Sequence, residues 1–231
     1  YNHVTDLPNS IVLEDHLQKI LKGKSETLNY AFIVINIVQF RNYNNLLGRK
    51  IADTILVKMG EIISANLRRP SDTVYHLEGD LFGVLMHEID HERSITDWCQ
   101  NLIETLRKPV QFGTNSLTLK LKMGIVNFKD LEEGTSPNTL IEEAEQALKR
   151  AKEFPNLSFA IFDEGMKKFY THEQVMESDL RKAIENREFV MFLQPQYDNS
   201  LNRIVAFEAL IRWDNPKYRL SSPAHFIEVA E

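Results

Sequence analysis

The segment "VYHLEGDLFGVLM", Val74 to Met86, sets two carboxylates, Glu78 and Asp80, on either side of Gly79 and between two apolar arms. Paired carboxylates at an exposed tip are groups that acid–base or metal chemistry uses. The same residues suit a plain hairpin, because Gly and Asp tolerate the backbone of a tight turn and β-branched or aromatic residues flank them. Nothing inside the segment chooses between a catalytic tip and a turn.

Two further stretches offer chemistry and lose it on context. "HEIDH", His87 to His91, matches H-E-x-x-H, in which two histidines four apart meet on a metal only if the segment is helical. Here it directly follows a predicted strand and its flanks lack helical periodicity, so it reads as a solvated strand-to-helix loop. "GKS", Gly23 to Ser25, resembles the end of a phosphate loop, yet the first glycine of that pattern would fall on Gln18. It also follows a helix and precedes a strand, the reverse of what that loop requires.

Composition narrows the class. A chain of 231 residues with 43% hydrophobic content has room for one large or two small domains with real cores. Its net charge of -6 argues against nonspecific nucleic-acid binding, which needs a basic surface to displace counterions. The one cysteine, Cys99, rules out an internal disulfide framework and reads as a buried thiol in a reducing, cytoplasmic setting. No apolar run approaches the roughly 18 to 20 residues that span a bilayer, and Tyr1 opens without a start methionine, so the chain is expected to be part of something longer.

Elements must position these groups. "SIVLEDHLQKILKG" predicts a helix with Ile11, Leu13, Leu17, Ile20 and Leu21 on one face, ended by Gly23. "YAFIVINIVQF" predicts a central strand buried on both faces. "IADTILVKMGEIISANLRR" has helical periodicity at Ile51, Ile55, Leu56, Met59, Ile62, Ile63 and Leu67 and stops at Pro70. The hairpin follows, then a helix from Ser94 to Arg107, one strand "SLTLKLKMGIVNF", a helix from Ser136 and a short strand "SFAIFD", for an order of αβααββαβαβ. A charged helical stretch after Glu164 reads as a linker, and "EFVMFLQPQYD" and "RIVAFEALIRW" as two strands that open a second domain. The expected domains are 1–165, a linker helix 166–187, and 188–231.

Four stretches in this order resemble the GGDEF (diguanylate cyclase-like) domain of bacterial signalling proteins. "HVTDLPN" resembles HDxLTGLPN; "INIVQFRNYNNLLGRKIAD" resembles D-x-D-x-F-K-x-x-N-D-x-x-G-H-x-x-G-D; "EGDLF" sits where GGDEF belongs; "EAEQALKRAK" resembles A-D-x-A-L-Y-x-A-K. After them "FLQPQYD", "FEALIRW" and "SSPAHFIEVAE" resemble the start of an EAL (cyclic di-GMP phosphodiesterase) domain, with the EAL signature intact. The implied fold is α/β: a GGDEF-like cyclase-type domain with a central sheet and flanking helices, then a linker helix and the first strands of a TIM-like EAL barrel.

The resemblance implies site residues one by one. Active cyclases hold magnesium with carboxylates on the central strand and the GGDEF turn; here Asn36 and Val38 occupy the strand positions, Leu81 replaces the functional glutamate, Glu78 replaces the first glycine, and Asp80 alone is kept. Asn44 and Asp53 match residues that read the guanine edge; the plain alternatives are that Asn44 caps or turns the chain after the strand and that Asp53 lies in the first turn of a helix. Lys152 matches a phosphate-contacting lysine, while the basic residue expected four further on is Asn156. "RPSD" places Arg69 and Asp72 where the family has its inhibitory cyclic di-GMP site, although Arg69, Pro70 and Asp72 also suit a helix end and turn. In the EAL part Glu208 corresponds to a metal ligand, and Arg212 and Gln194 to substrate-site residues.

The expected function is cyclic di-GMP signalling by a catalytically inactive GGDEF domain that senses guanine nucleotide and regulates an EAL phosphodiesterase. The competing expectation is a non-enzymatic receptor or scaffold with both domains inactive. Expected partners are GTP or cyclic di-GMP, a second copy in a homodimer, the remainder of the EAL domain and an upstream sensory region. Mg or Mn would serve the EAL domain of the parent protein, and this chain needs no cofactor. A cytoplasmic location, including the cytoplasmic part of a membrane-attached sensor, completes the expectation.

Overall fold

The computed structural model describes residues 1–23, 29–89, 91–112, 115–132 and 134–230. The chain divides into two compact units, 1–166 and 167–231. In the first, α1 (Ser10–Lys22) leads to β1 (Ala31–Ile37), then α2 (Phe40–Leu47), α3 (Arg49–Ala65), β2 (Thr73–His76), β3 (Leu81–Met86) and α4 (Glu92–Arg107). A small hairpin of β4 (Val110–Phe112) and β5 (Asn115–Leu117) precedes β6 (Leu121–Asn127), α5 (Pro137–Glu153) and β7 (Phe159–Ile161). The sheet order is β2-β3-β1-β6-β7, antiparallel except for the β6–β7 pair.

β1 is the centre of the sheet because all seven of its residues are buried. Ala31, Ile33, Ile35 and Ile37 face one core with Ile55, Met59 and Ile63 of α3 and Trp98, Cys99 and Leu102 of α4. Phe32 and Val34 face the other, with Leu13 and Leu17 of α1 and Leu140, Ala144 and Leu148 of α5. Helices on both faces therefore follow from a strand with no polar face to expose. α5 lies so close to β6 that a Cβ at Gly124 would stand 2.0 Å from the Ala144 carbonyl oxygen, so glycine is required there.

Several expectations are corrected. Of the face expected on α1, Leu13 and Leu17 are buried, but Ile11 is 73% exposed. α3 ends at Ala65, where the Asn66 side chain donates to the Ile62 carbonyl, short of Pro70. α4 begins at Glu92, two residues before Ser94. The single strand expected from Ser116 to Phe128 is broken: β5 turns back on β4, and the Lys120 carbonyl accepts the Val38 N–H before β6 begins. Cys99 is buried, and burial pushes its thiol up to about 12.

α6 (Glu164–Glu185) carries the chain into the second unit, where β8 (Phe189–Asp198), β9 (Arg203–Asn215) and β10 (Arg219–Ser221) form an antiparallel sheet. That unit has its own core around Trp213, Met176, Leu180, Ala183 and Phe226. The Glu188 carboxylate accepts from Asn215, Trp213 Nε1 and Asn186, and these bonds, Asn215 first, hold its pKa below the usual carboxylate range. No helix among the described residues is long and apolar enough to cross a membrane.

Candidate functional site

The β2–β3 connection is a tight turn in which the Leu81 N–H donates to the Glu78 carbonyl and the Leu77 N–H to the Leu81 carbonyl. Gly79 has φ +56, the left-handed region glycine enters without strain. β1 and β3 pair so that Asn36 stands opposite Leu81, and the buried Asn36 amide donates to an Asp80 carboxylate oxygen at 2.6 Å. Glu78 is exposed at the tip.

This donor set does not fit a hard divalent cation. Magnesium favours charged oxygen ligands, but the strand position offers a neutral amide, whose N–H donates to one oxygen of the one retained carboxylate. Leu81 packs into the apolar core beside α1 and α5 and offers no oxygen. Among the described residues, no three His, Cys, Asp or Glu side chains are placed to hold a metal ion. His87, Glu88, Ile89 and His91 of "HEIDH" are not helical, so the two histidines do not share a helix face; its Asp90 lies outside the described residues, as do Lys24 and Ser25 of "GKS".

A buried histidine pins the turn from behind. His76 Nε2 donates to the Gly79 carbonyl at 2.9 Å, which leaves Nδ1 to accept the Thr5 hydroxyl at 2.9 Å. The ring stacks on Phe82 at 4.6 Å, and burial pushes its pKa down. Thr5 belongs to "HVTDLPN", so this network ties the opening segment to the hairpin. Sequence reasoning missed it, since only three-dimensional pairing brings residues 5 and 76 together.

The same opening segment walls a concavity of ≈ 420 Å³ lined by His3, Val4, Arg49, Asp53, Thr54 and Val57. Of the two guanine-edge candidates, Asp53 lines it and Asn44 is exposed on α2. Both plain alternatives are corrected: Asn44 lies within α2 rather than in a turn after β1, and α3 begins at Arg49, so Asp53 falls in its second turn. Sequence reasoning overlooked Arg49, whose i, i+4 spacing to Asp53 was the available signal. Lys152 is exposed at the end of α5; burial first and then Glu142 push the Glu145 carboxyl up, and Lys152 only partly opposes them. Lys122 of β6 spends its ammonium on the Phe154, Pro155 and Leu157 carbonyls.

"RPSD" forms a closed turn. The Asp72 side chain is 0% exposed; it accepts the His87 N–H at 2.8 Å and the Arg69 N–H at 3.3 Å, with Arg68 3.7 Å away. Arg69 is ion-paired with Glu88. In the second unit Gln194 and Glu208 are cross-strand partners, and both are exposed. Arg212 lies on the same face of β9, opposite Val190, and bonds the Ile211 carbonyl.

A five-stranded sheet between two helix layers, with a turn carrying Asp80 beside the central strand, defines a cyclase-type α/β domain. Residues 1–156 match the family described as diguanylate cyclase, GGDEF domain, and residues 177–231 match the EAL domain. The chain belongs to the GGDEF family and continues into the start of an EAL domain. It is 27% identical over 232 residues to the bifunctional diguanylate cyclase/cyclic di-GMP phosphodiesterase MucR of Pseudomonas aeruginosa, covering 100% of this chain and 33% of that protein. The isolated GGDEF domain of P. aeruginosa TpbB (YfiN) superposes with a TM-score of 0.68 at 25% identity, covering 74% of this chain and 99% of that one. The S helix-GGDEF-EAL portion of Vibrio cholerae LapD, bound to cyclic di-GMP, shares the fold over 99% of this chain and 52% of its own, with TM-score 0.62 and 15% identity. The chain spans about a third of the length of the curated relatives it matches.

Proposed function

We propose that the GGDEF domain is a non-catalytic guanine-nucleotide sensor that regulates an EAL phosphodiesterase in the parent protein. The observation that carries this reading is the Asn36–Asp80 bond, which replaces a cation site with a neutral amide, while Asp53 still faces a concavity. Cyclase chemistry depends on metal-held phosphates, so its loss is expected where the ligand set is an amide and one carboxylate. Nucleotide recognition needs only hydrogen-bonding groups in a pocket, and those remain. Relatives named as cyclic di-GMP phosphodiesterases, such as P. aeruginosa NbdA at 27% identity, support the EAL output. In the EAL domain Glu208 would contribute one Mg or Mn ligand and Gln194 and Arg212 substrate contacts; a second copy, an upstream sensory region and a cytoplasmic setting belong to the same reading.

The receptor alternative through Arg69 and Asp72 is weakened by geometry, because Asp72 is consumed by its own turn and Arg69 is paired with Glu88. The test is to incubate the chain with GTP and magnesium or manganese, follow cyclic di-GMP by chromatography, and titrate GTP and cyclic di-GMP separately by calorimetry. The expected result is no turnover, with GTP binding lost in Asp53→Ala. Turnover abolished by Asp80→Ala, or cyclic di-GMP binding lost only in Arg69→Ala, would overturn it.

A further inference from the structure

Within the second unit, the helix α6 grips the strand that carries the EAL signature. Asp179 of α6 accepts from the Tyr218 hydroxyl at 2.9 Å and from the Lys217 ammonium at 2.8 Å, both in the turn between β9 and β10. The Tyr218 ring lies 4.7 Å from that of Trp213, which is fully buried and donates to Glu188 just before β8. Asn215 closes the set, donating to Glu188 and accepting the Lys217 backbone N–H. Trp213 directly follows Arg212 and packs on the opposite side of β9 from the face shared by Arg212, Glu208 and Gln194. Resting on the EAL reading above, we propose that Asp179 is a positioning residue: from α6 it fixes the end of β9 through Tyr218 and Trp213, so that Arg212 meets the phosphodiester of cyclic di-GMP.

Arg212 depends on such support. Its guanidinium bonds the carbonyl of its own neighbour Ile211 and stands 5.8 Å from the Phe192 ring centroid, contacts that leave its placement to the strand beneath it. Helix stability does not account for Asp179. Aspartate is a poor helix former, and position 179 is far from the first turn of α6, where a negative charge would suit the dipole. Lys217 is more than half exposed, so solvent screens its pairing with Asp179. The Tyr218 hydroxyl, on a ring packed against buried Trp213, is the firmer hold.

The test has two arms. In the chain of 231 residues, Asp179→Ala should speed amide hydrogen exchange across 212–218 by about tenfold and leave 203–206, at the far end of β9, unchanged. Equal exchange in variant and wild type overturns the clamp. In a longer chain carrying the whole EAL domain, cyclic di-GMP hydrolysis with manganese and calorimetric binding are measured for wild type, Asp179→Ala, Asp179→Asn and Tyr218→Phe, each also combined with Arg212→Ala. The expected result is that Asp179→Ala raises KM and Kd about tenfold with kcat within about twofold, and that Tyr218→Phe does so in part. Asp179→Asn, which keeps an acceptor for the hydroxyl, should restore most of the affinity. In the Arg212→Ala background, Asp179→Ala should change neither constant further. A purely structural role would lower the active fraction, so kcat would fall at unchanged KM, and that result overturns the proposal. Wild-type constants in Asp179→Ala, or a loss of affinity that persists without Arg212, overturn it too. Each of these leaves the EAL reading standing, whereas a wild type that neither hydrolyses nor binds cyclic di-GMP at near-millimolar concentration overturns both.

Discussion

At the scale of the residue, one bond decides how the hairpin tip behaves. The Asn36 amide meets Asp80 at 2.6 Å from a buried position, a contact to a charged acceptor that stabilises by roughly 1.5 to 3 kcal/mol at most and by less at a half-exposed site. Asn36→Asp would bring two carboxylates into hydrogen-bond range, which is favourable only if a cation lies between them or one takes up a proton. We therefore expect Asn36→Asp to melt about 3 to 8 °C below wild type in EDTA at pH 8 and to recover when magnesium or manganese is added. The wild-type chain should be indifferent to the cation. Equal melting of variant and wild type in EDTA would show that the amide does not hold the turn. The sequence made the residue types at 36, 78, 80 and 81 legible. It did not disclose that Asn36 bonds Asp80, because that pairing spans 44 positions and depends on the β1–β3 register.

At the scale of the element, the β2–β3 hairpin is fastened to the opening segment by His76. His76 is 2% exposed and its ring faces the Gly79 carbonyl, the Thr5 hydroxyl and the Phe82 ring, with His3 and Asp80 as the titratable neighbours. Burial lowers its pKa from the ordinary 6.5, opposed by the Gly79 carbonyl bond. A proton therefore binds the unfolded chain more readily than the folded one. The sign follows: the stability His76 provides is full above about pH 6.5 and falls as pH drops through that value toward the lower folded pKa. His87, also lowered by burial, adds to the same slope. Urea midpoints at pH 7.5, 6.5 and 5.5 should fall with pH in the wild type and less steeply in His76→Gln; equal slopes would remove His76 from the account. Elements with one strong periodicity were readable in advance, as β1 shows by its unbroken apolar run. The break between β5 and β6 was not, since "SLTLKLKM" alternates without interruption and only the tertiary bond from Val38 to the Lys120 carbonyl ends the ladder there. The "RPSD" turn was half readable: its turn chemistry is in the sequence, but burial of Asp72 against the His87 N–H is not.

At the scale of the whole molecule, the second unit differs from the first in what it leaves bare. Unit one buries its sheet on both faces between helices. In unit two the core reaches only Trp213, Phe189 and Ile211 at one end of the β8–β9 ribbon, while Met191, Leu193 and Phe207 are each 60 to 62% exposed on one face and Phe192 47% on the other. Alternating strands with apolar side chains on both faces are built for a sheet covered on both sides. The EAL signature lies in this ribbon: Gln194 and Glu208 stand side by side on the face that also carries Phe192 and Arg212. On the proposed function, the remaining parts of an EAL domain would cover this ribbon and would supply the further carboxylates that two-metal hydrolysis requires. An uncovered apolar ribbon of this size binds hydrophobic dye and pairs with other copies. The chain of 231 residues is therefore expected to enhance anilinonaphthalene sulfonate fluorescence and to sediment as concentration-dependent oligomers. Replacing Met191 and Phe207 together by lysine should suppress both effects, because the two charges fall on the same bare face. A longer chain carrying the whole EAL domain should show neither effect without any substitution. Dye binding that survives both the double replacement and the added domain would place the sticky surface elsewhere, and the ribbon would then have to be satisfied in some way other than burial within an EAL domain.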